Sequence, residues 1–158
     1  MVRLRRYKSE NTPFFITTST FNNQKFFLSK DRAGTVIDYI YRAKERMIDF
    51  LLAFAVMPEH LHLLIIPKNE FTISQIMLFI KKGSSRVIHI KENTNGHLWA
   101  KRFFDRGIRS EQELIETIEY IHNNPLKTRL AAKAENYLFS SANPRWKTDL
   151  ELYFDQTR

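Results

Sequence analysis

Two apolar runs, residues 50–56 (FLLAFAV) and 60–66 (HLHLLII), are separated only by Met57, Pro58 and Glu59. Each has the length of a strand. Three residues are too few for a helix or a parallel crossover, so the runs must pair antiparallel around a tight turn. The flanking sequence supplies partners for this hairpin. Residues 14–21 (FFITTSTF) are aromatic and β-branched and read as a strand. Ser29, Lys30 and Asp31 offer a helix start, after which Val36, Ile37, Ile40, Tyr41 and Met47 recur at helical spacing to about residue 48. Past the break at residues 67–70, Thr72 or Ser74 caps a second helix bearing Ile73, Ile76, Met77, Ile80, Val87 and Ile88. Residues 98–108 read as a fourth strand, interrupted near Asp105 or Gly107. Ser110 followed by Glu113 is a capping-box pattern opening a third helix. Pro125 should end that helix near Asn123 and Asn124, because its ring disfavours helical geometry in the preceding residue.

The order β-α-β-β-α-β, then a helix, predicts an α+β, ferredoxin-like fold. Such a fold is a four-stranded antiparallel sheet with helices on one face. The other face stays open for a ligand or for the additional helix, which carries Tyr120. The chain is expected to form a single domain, 1–158, with residues 142–158 as a C-terminal tail. Trp146 and the segment YLFSS (137–141) should pack as part of this end. A hydrophobic content of 43% excludes a disordered chain. Zero Cys excludes a disulfide scaffold, a thiolate zinc site, an iron–sulfur cluster and a cysteine nucleophile. No stretch approaches the ~20 apolar residues of a membrane span, and the N-terminus lacks a signal-peptide core. A soluble cytoplasmic protein without a membrane partner is expected.

The formal net charge of +8 is unevenly placed. Residues 1–8 hold Arg3, Arg5, Arg6 and Lys8 and no acid. Residues 81–109 hold Lys81, Lys82, Arg86, Lys91, Lys101, Arg102, Arg106 and Arg109 against Glu92 and Asp105. The rest of the chain is slightly acidic. Two basic segments on an otherwise ordinary surface point to a polyanionic partner such as a nucleic acid.

Two constellations carry chemistry. Side chains alternate along a strand, so His60 and His62 share one face and Leu61, Leu63 and Ile65 the other. Two imidazoles just after a turn can share a divalent ion. They are also the pattern of two ordinary strand histidines, and spacing alone leaves both readings open. The second constellation is Tyr120 and Asn124, i and i+4 on one helix face, flanking the apolar stripe of Leu114, Ile118 and Ile121. Either can instead be a helix-border or helix-end residue. Together, a His pair, an amide oxygen and a tyrosine could make a metal site beside a phenol. A divalent cation polarises a phosphodiester, and a tyrosine that attacks phosphorus conserves the bond energy for rejoining. His122 reads as a surface or DNA-contacting residue. His89 and His97 have no evident role.

In the order of the chain, MPEHLHLL (57–64) resembles the His-hydrophobic-His strand of single-tyrosine transposases, and LWAKRFFD (98–105) resembles their Trp-x-x-x-aromatic-aromatic-Asp strand. EYIHNNPLK (119–127) resembles their tyrosine helix end, and YLFSS (137–141) their aromatic-Ser-Ser element. The whole is most similar to the REP-associated tyrosine transposases of bacteria. The resemblance implies that Tyr120 is a nucleophile forming a 5′-phosphotyrosine with single-stranded DNA. It implies that His60 and His62, with Asn124 as third ligand, hold Mg2+ or Mn2+. It implies a hairpin-containing DNA partner, with Arg3, Arg5, Arg6, Lys81, Lys82, Arg86, Lys101, Arg102, Arg106 and Arg109 as DNA-binding residues. The site is expected to work as a monomer or homodimer in the bacterial cytoplasm, at the nucleoid while acting on DNA. The competing expectations are a non-catalytic module binding single-stranded DNA or RNA, and a metal-dependent hydrolase using water.

Overall fold

A computed structural model describes residues 11–157. Four strands form one antiparallel sheet: β1 (Phe14–Ser19), β2 (Ile48–Met57), β3 (His60–Pro67) and β4 (Phe104–Gly107). Their order across the sheet is β2-β3-β1-β4, with every neighbouring pair antiparallel. The helices are α1 (Lys30–Arg46), α2 (Ile73–Glu92), α3 (Glu111–Lys127) and α4 (Leu150–Thr157). This is the α+β, ferredoxin-like order expected from the sequence, with the fourth strand cut short.

The central hairpin turns in two residues, because Met57 already pairs with His60. The Pro58 carbonyl accepts the Phe27 N–H at 3.0 Å, and the Glu59 carbonyl accepts the Thr20 N–H at 2.9 Å. Neighbouring chain therefore fixes the turn that precedes the histidines.

One face of the sheet is dry. Leu61, Leu63 and Ile65 of β3 and Ile16 of β1 pack with Val36, Ile37 and Ile40 of α1 and Ile76, Met77 and Ile80 of α2. The two helices approach closely where Gly83 faces Tyr39; a Cβ at Gly83 would fall 2.0 Å from the Tyr39 ring. Thr72 caps α2 in a full capping box with Gln75. The buried Ser84 hydroxyl donates to the Ile80 carbonyl and accepts the Trp99 indole N–H at 3.1 Å.

The other face is covered by the additional helix α3, one of the two occupants expected for it, and by α4 as well. Leu114, Ile118 and Ile121 of α3 pack on Phe15, Leu52, Ala53, Ala55, Leu64 and Ile66, and Leu150, Tyr153 and Phe154 of α4 join them. The stripe read from the sequence is the surface that does this. The expected tail thus contains a docked helix. Residues 139–141 also line the open edge of β2: the Val56 N–H donates to the Phe139 carbonyl, and the Ser141 N–H to the Phe54 carbonyl. The Tyr137 hydroxyl donates to the Val56 carbonyl at 2.7 Å.

Three local expectations need correction. The fourth strand is only Phe104–Gly107; Trp99 makes an isolated bridge to Thr20 instead. Helix α3 continues through Pro125 to Lys127. The proline costs one helical bond in the last turn, and its buried ring packs there, so packing outweighs the local preference. At the start of α3 the Ser110 hydroxyl accepts the Glu113 N–H, but the Glu113 carboxylate reaches the Arg109 N–H rather than that of Ser110.

Candidate functional site

The alternation of β3 sends His60, His62 and Leu64 toward α3. His62 is buried and His60 half-buried. Their Nε2 atoms lie 3.0 Å apart. Each Nδ1 is already engaged: His60 Nδ1 with Glu59 Oε1 at 3.0 Å, and His62 Nδ1 with Thr17 Oγ1 at 2.9 Å. With the proton on Nδ1 in both rings, the two Nε2 lone pairs converge on one point, the arrangement by which outer groups orient imidazole ligands. Two bare lone pairs at 3.0 Å repel, so a proton or a cation must sit between them. Burial, with the neighbouring His60, pushes His62 down to about 3, so its ring is neutral at physiological pH and free to donate a lone pair.

Tyr120 stands over this pair. Its ring meets His62 edge-on at 5.4 Å and Phe15 at 5.9 Å between centroids. It is 42% exposed, and Lys127 Nζ lies 4.9 Å from the ring centre. One helical turn on, Asn124 is buried and its Oδ1 has no hydrogen-bond partner. A buried amide oxygen with nothing to accept is unusual. It is what an amide ligand looks like without its ion, so the donor set fits a divalent cation. Among the described residues no cluster of three or more His, Cys, Asp or Glu is placed to hold a metal. The candidate donors are two imidazole nitrogens and one amide oxygen.

Residues 16–124 match the family described as "Transposase IS200 like". The chain belongs to the IS200-like transposase family. This transposase is 24% identical over 142 residues to the REP-associated tyrosine transposase of Escherichia coli K12, covering 89% of this chain and 82% of that one. It shares the fold of a solved REP-associated tyrosine transposase bound to a REP hairpin, with a TM-score of 0.70 and 22% identity. That match covers 86% of this chain and 82% of the other.

The structure sorts the basic residues of this transposase. Arg3, Arg5 and Arg6 lie outside the described residues. Lys82 and Arg86 are on α2, across the sheet from Tyr120. Lys81 is spent on structure: its Nζ donates to the Ala100 carbonyl at 2.6 Å, and burial lowers its pKa. Lys101 and Arg102 are exposed just before β4. Arg106 reaches the site, 5.6 Å above the Phe15 ring and paired with Glu113 at 3.3 Å. Arg109 is exposed where α3 begins. Lys82 and Lys101 also flank a groove of about 480 Å³ lined by Leu78, Leu98 and Trp99.

His122, expected at the surface or against DNA, is half-buried, and its Nε2 meets Ser141 Oγ at 2.8 Å, tying α3 to the segment on β2. His89 closes the end of α2, with Nδ1 on Thr94 Oγ1 and Nε2 on the Gly96 carbonyl. Sequence reasoning does not find Glu59, Thr17, Phe15 or Lys127. Glu59 immediately precedes His60, and that adjacency is a usable signal. Thr17 and Phe15 meet His62 only through strand register, which no local pattern displays.

Proposed function

We propose that this transposase cleaves and rejoins single-stranded, hairpin-containing DNA through a phosphotyrosine on Tyr120, in the bacterial cytoplasm. The observation that carries this reading is the Tyr120 ring set over two imidazoles whose Nε2 atoms lie 3.0 Å apart, with an unpartnered buried amide oxygen one helical turn along from the tyrosine. His60, His62 and Asn124 would hold a divalent cation, Mg2+ or Mn2+. When bound, such an ion polarises the phosphodiester and offsets charge developing on its oxygens. Glu59 and Thr17 orient the two imidazoles. Phe15 and His62 support the Tyr120 ring, and Lys127 lends positive charge beside it. The phenol oxygen bonds to phosphorus, the bond from phosphorus to the 3′ oxygen breaks, and the phenol's proton is made up at the 3′ hydroxyl through solvent. Rejoining runs the exchange with a new 3′ hydroxyl, so the phosphoester bond is conserved.

The test is an SDS-resistant protein–DNA adduct on 5′- and 3′-labelled hairpin strands with Mn2+. The adduct should form with the wild type, disappear with Tyr120→Phe, and disappear with chelator. Nicking without an adduct, undiminished in Tyr120→Phe, would assign the site to hydrolysis by water. Binding without either would leave a nucleic-acid-binding module.

A further inference from the structure

Phe104, on the β4 edge of the site face, is an exposed aromatic that the chemistry above does not use. It is 56% exposed, whereas its neighbour Phe103 turns to the opposite face and packs against the dry core. Register pairs Phe104 with Thr17, and Thr17 with His62. Directly opposed residues of an antiparallel ladder share a face, so His62, Thr17 and Phe104 form one row on the Tyr120 side. At about 4.8 Å between strands, Phe104 lies two strands, roughly 10 Å, from His62. Arg106 follows on the same face, over Phe15, and Lys101 and Arg102 are exposed immediately before. Nothing among the described aromatic residues stacks on the Phe104 ring.

An exposed ring between cations is how proteins hold single strands: cations track phosphates while a base stacks on the ring. A four-residue edge strand is too short to recruit a second copy's sheet effectively. We propose that Phe104 is the stacking platform for an unpaired base beside the scissile phosphate of single-stranded DNA, with Arg102 and Arg106 holding neighbouring phosphates. This rests on the proposed function and adds a base-contacting residue to it. Glu113 and Glu116 line a small pocket together with Phe15, Arg106 and Tyr120, so Arg106 must exchange its 3.3 Å pair with Glu113 for the phosphate it takes.

Binding is measured without added metal in the Tyr120→Phe background, so cleavage does not intervene. The probe is a DNA hairpin with a single-stranded tail of about eight nucleotides, the span of one single-strand groove, carrying 2-aminopurine at each tail position in turn. Quenching is expected at one or two positions. Phe104→Ala should remove that quenching and weaken binding about 5- to 150-fold, the range for one base on one aromatic ring. Phe104→Trp should retain both. With a tail made entirely of abasic sugars, Phe104→Ala should bind as tightly as the protein that keeps Phe104. No quenching at any position overturns the proposal, as does quenching and affinity unchanged in Phe104→Ala. Unchanged DNA binding with a dimer-to-monomer shift in sedimentation would assign Phe104 to self-association instead. Adduct formation by the protein that keeps Tyr120 is scored separately. Stacking without an adduct leaves this inference standing and removes the proposed chemistry; an adduct without stacking does the reverse.

Discussion

Leu61, Leu63 and Ile65 alternate with His60, His62 and Leu64 on one strand, yet the two sets meet different surroundings. The leucine side faces α1 and α2 through hydrocarbon alone, with Leu61, Leu63 and Ile65 fully buried. The histidine side is only part hydrocarbon. Toward β2, Ala53, Ala55 and Leu64 pack under α3. Toward β1 and β4 lie Thr17, an exposed tyrosine and an exposed phenylalanine, and the helix above carries an amide oxygen with no partner. The difference shows where the fold keeps its stability and where it can keep costly polar groups. The dry face is large enough to tolerate an unsatisfied group on the other side.

Adjacent positions separate the two faces most sharply. His62→Gln should reduce metal-dependent adduct formation by about a hundredfold or more, the upper range for losing metal-site function, while the thermal midpoint moves little. Leu63→Ala, one residue along, should do the opposite. It should cost about 2–5 kcal/mol, seen as a midpoint lowered by roughly 5–15 °C, while protein still folded forms the adduct at near the wild-type rate. If both variants lose stability equally and activity equally, the two faces are not functionally distinct.

A finer break removes only the orienting shell. Thr17→Val keeps the shape of the side chain but takes away the hydroxyl that meets His62 Nδ1 at 2.9 Å. Outer-group mutations of this kind weaken metal affinity by about 10- to 100-fold. The expected signature is an adduct rate restored at higher Mn2+, with the maximal rate little changed. A loss that no Mn2+ concentration restores would place Thr17 in the strand-binding surface instead.

The legible part of this molecule follows from period and spacing. Strand alternation puts His60 and His62 on one side, and helical spacing puts Tyr120 and Asn124 on another element's shared face. The short link at Pro58 and Glu59 forces the hairpin. What is not legible depends on contacts between distant segments. Nothing local says that residues 139–141 will lie along β2, or that His122 will spend itself on Ser141. The Lys81 charge reads as a phosphate contact in the sequence because the Ala100 carbonyl that absorbs it is positioned by tertiary structure. Pro125 fails to end α3 for a related reason: a local preference worth a few kcal/mol yields when the ring is buried. The same holds for residues 98–103, whose strand-like composition is used for Trp99 in the core rather than for a ladder.

Asn124 offers the smallest effect and a direct sharpening of the comparison. Its buried Oδ1 accepts no hydrogen bond, and a buried polar group left unpaired costs about 1–3 kcal/mol. Leucine has a similar shape and no such group. Asn124→Leu should therefore raise the metal-free thermal midpoint by a few degrees, an unusual sign for a buried substitution. A cation that binds only the folded protein raises its stability by about 2.7 kcal/mol at roughly a hundred times its Kd, so Mn2+ should raise the wild-type midpoint. In Asn124→Leu that rise should shrink or vanish. The site would then cost stability when empty and return it when the cation binds. A metal-free protein made less stable by Asn124→Leu would show that Oδ1 is satisfied in solution. A Mn2+ shift retained in full would show that the cation takes its oxygen elsewhere.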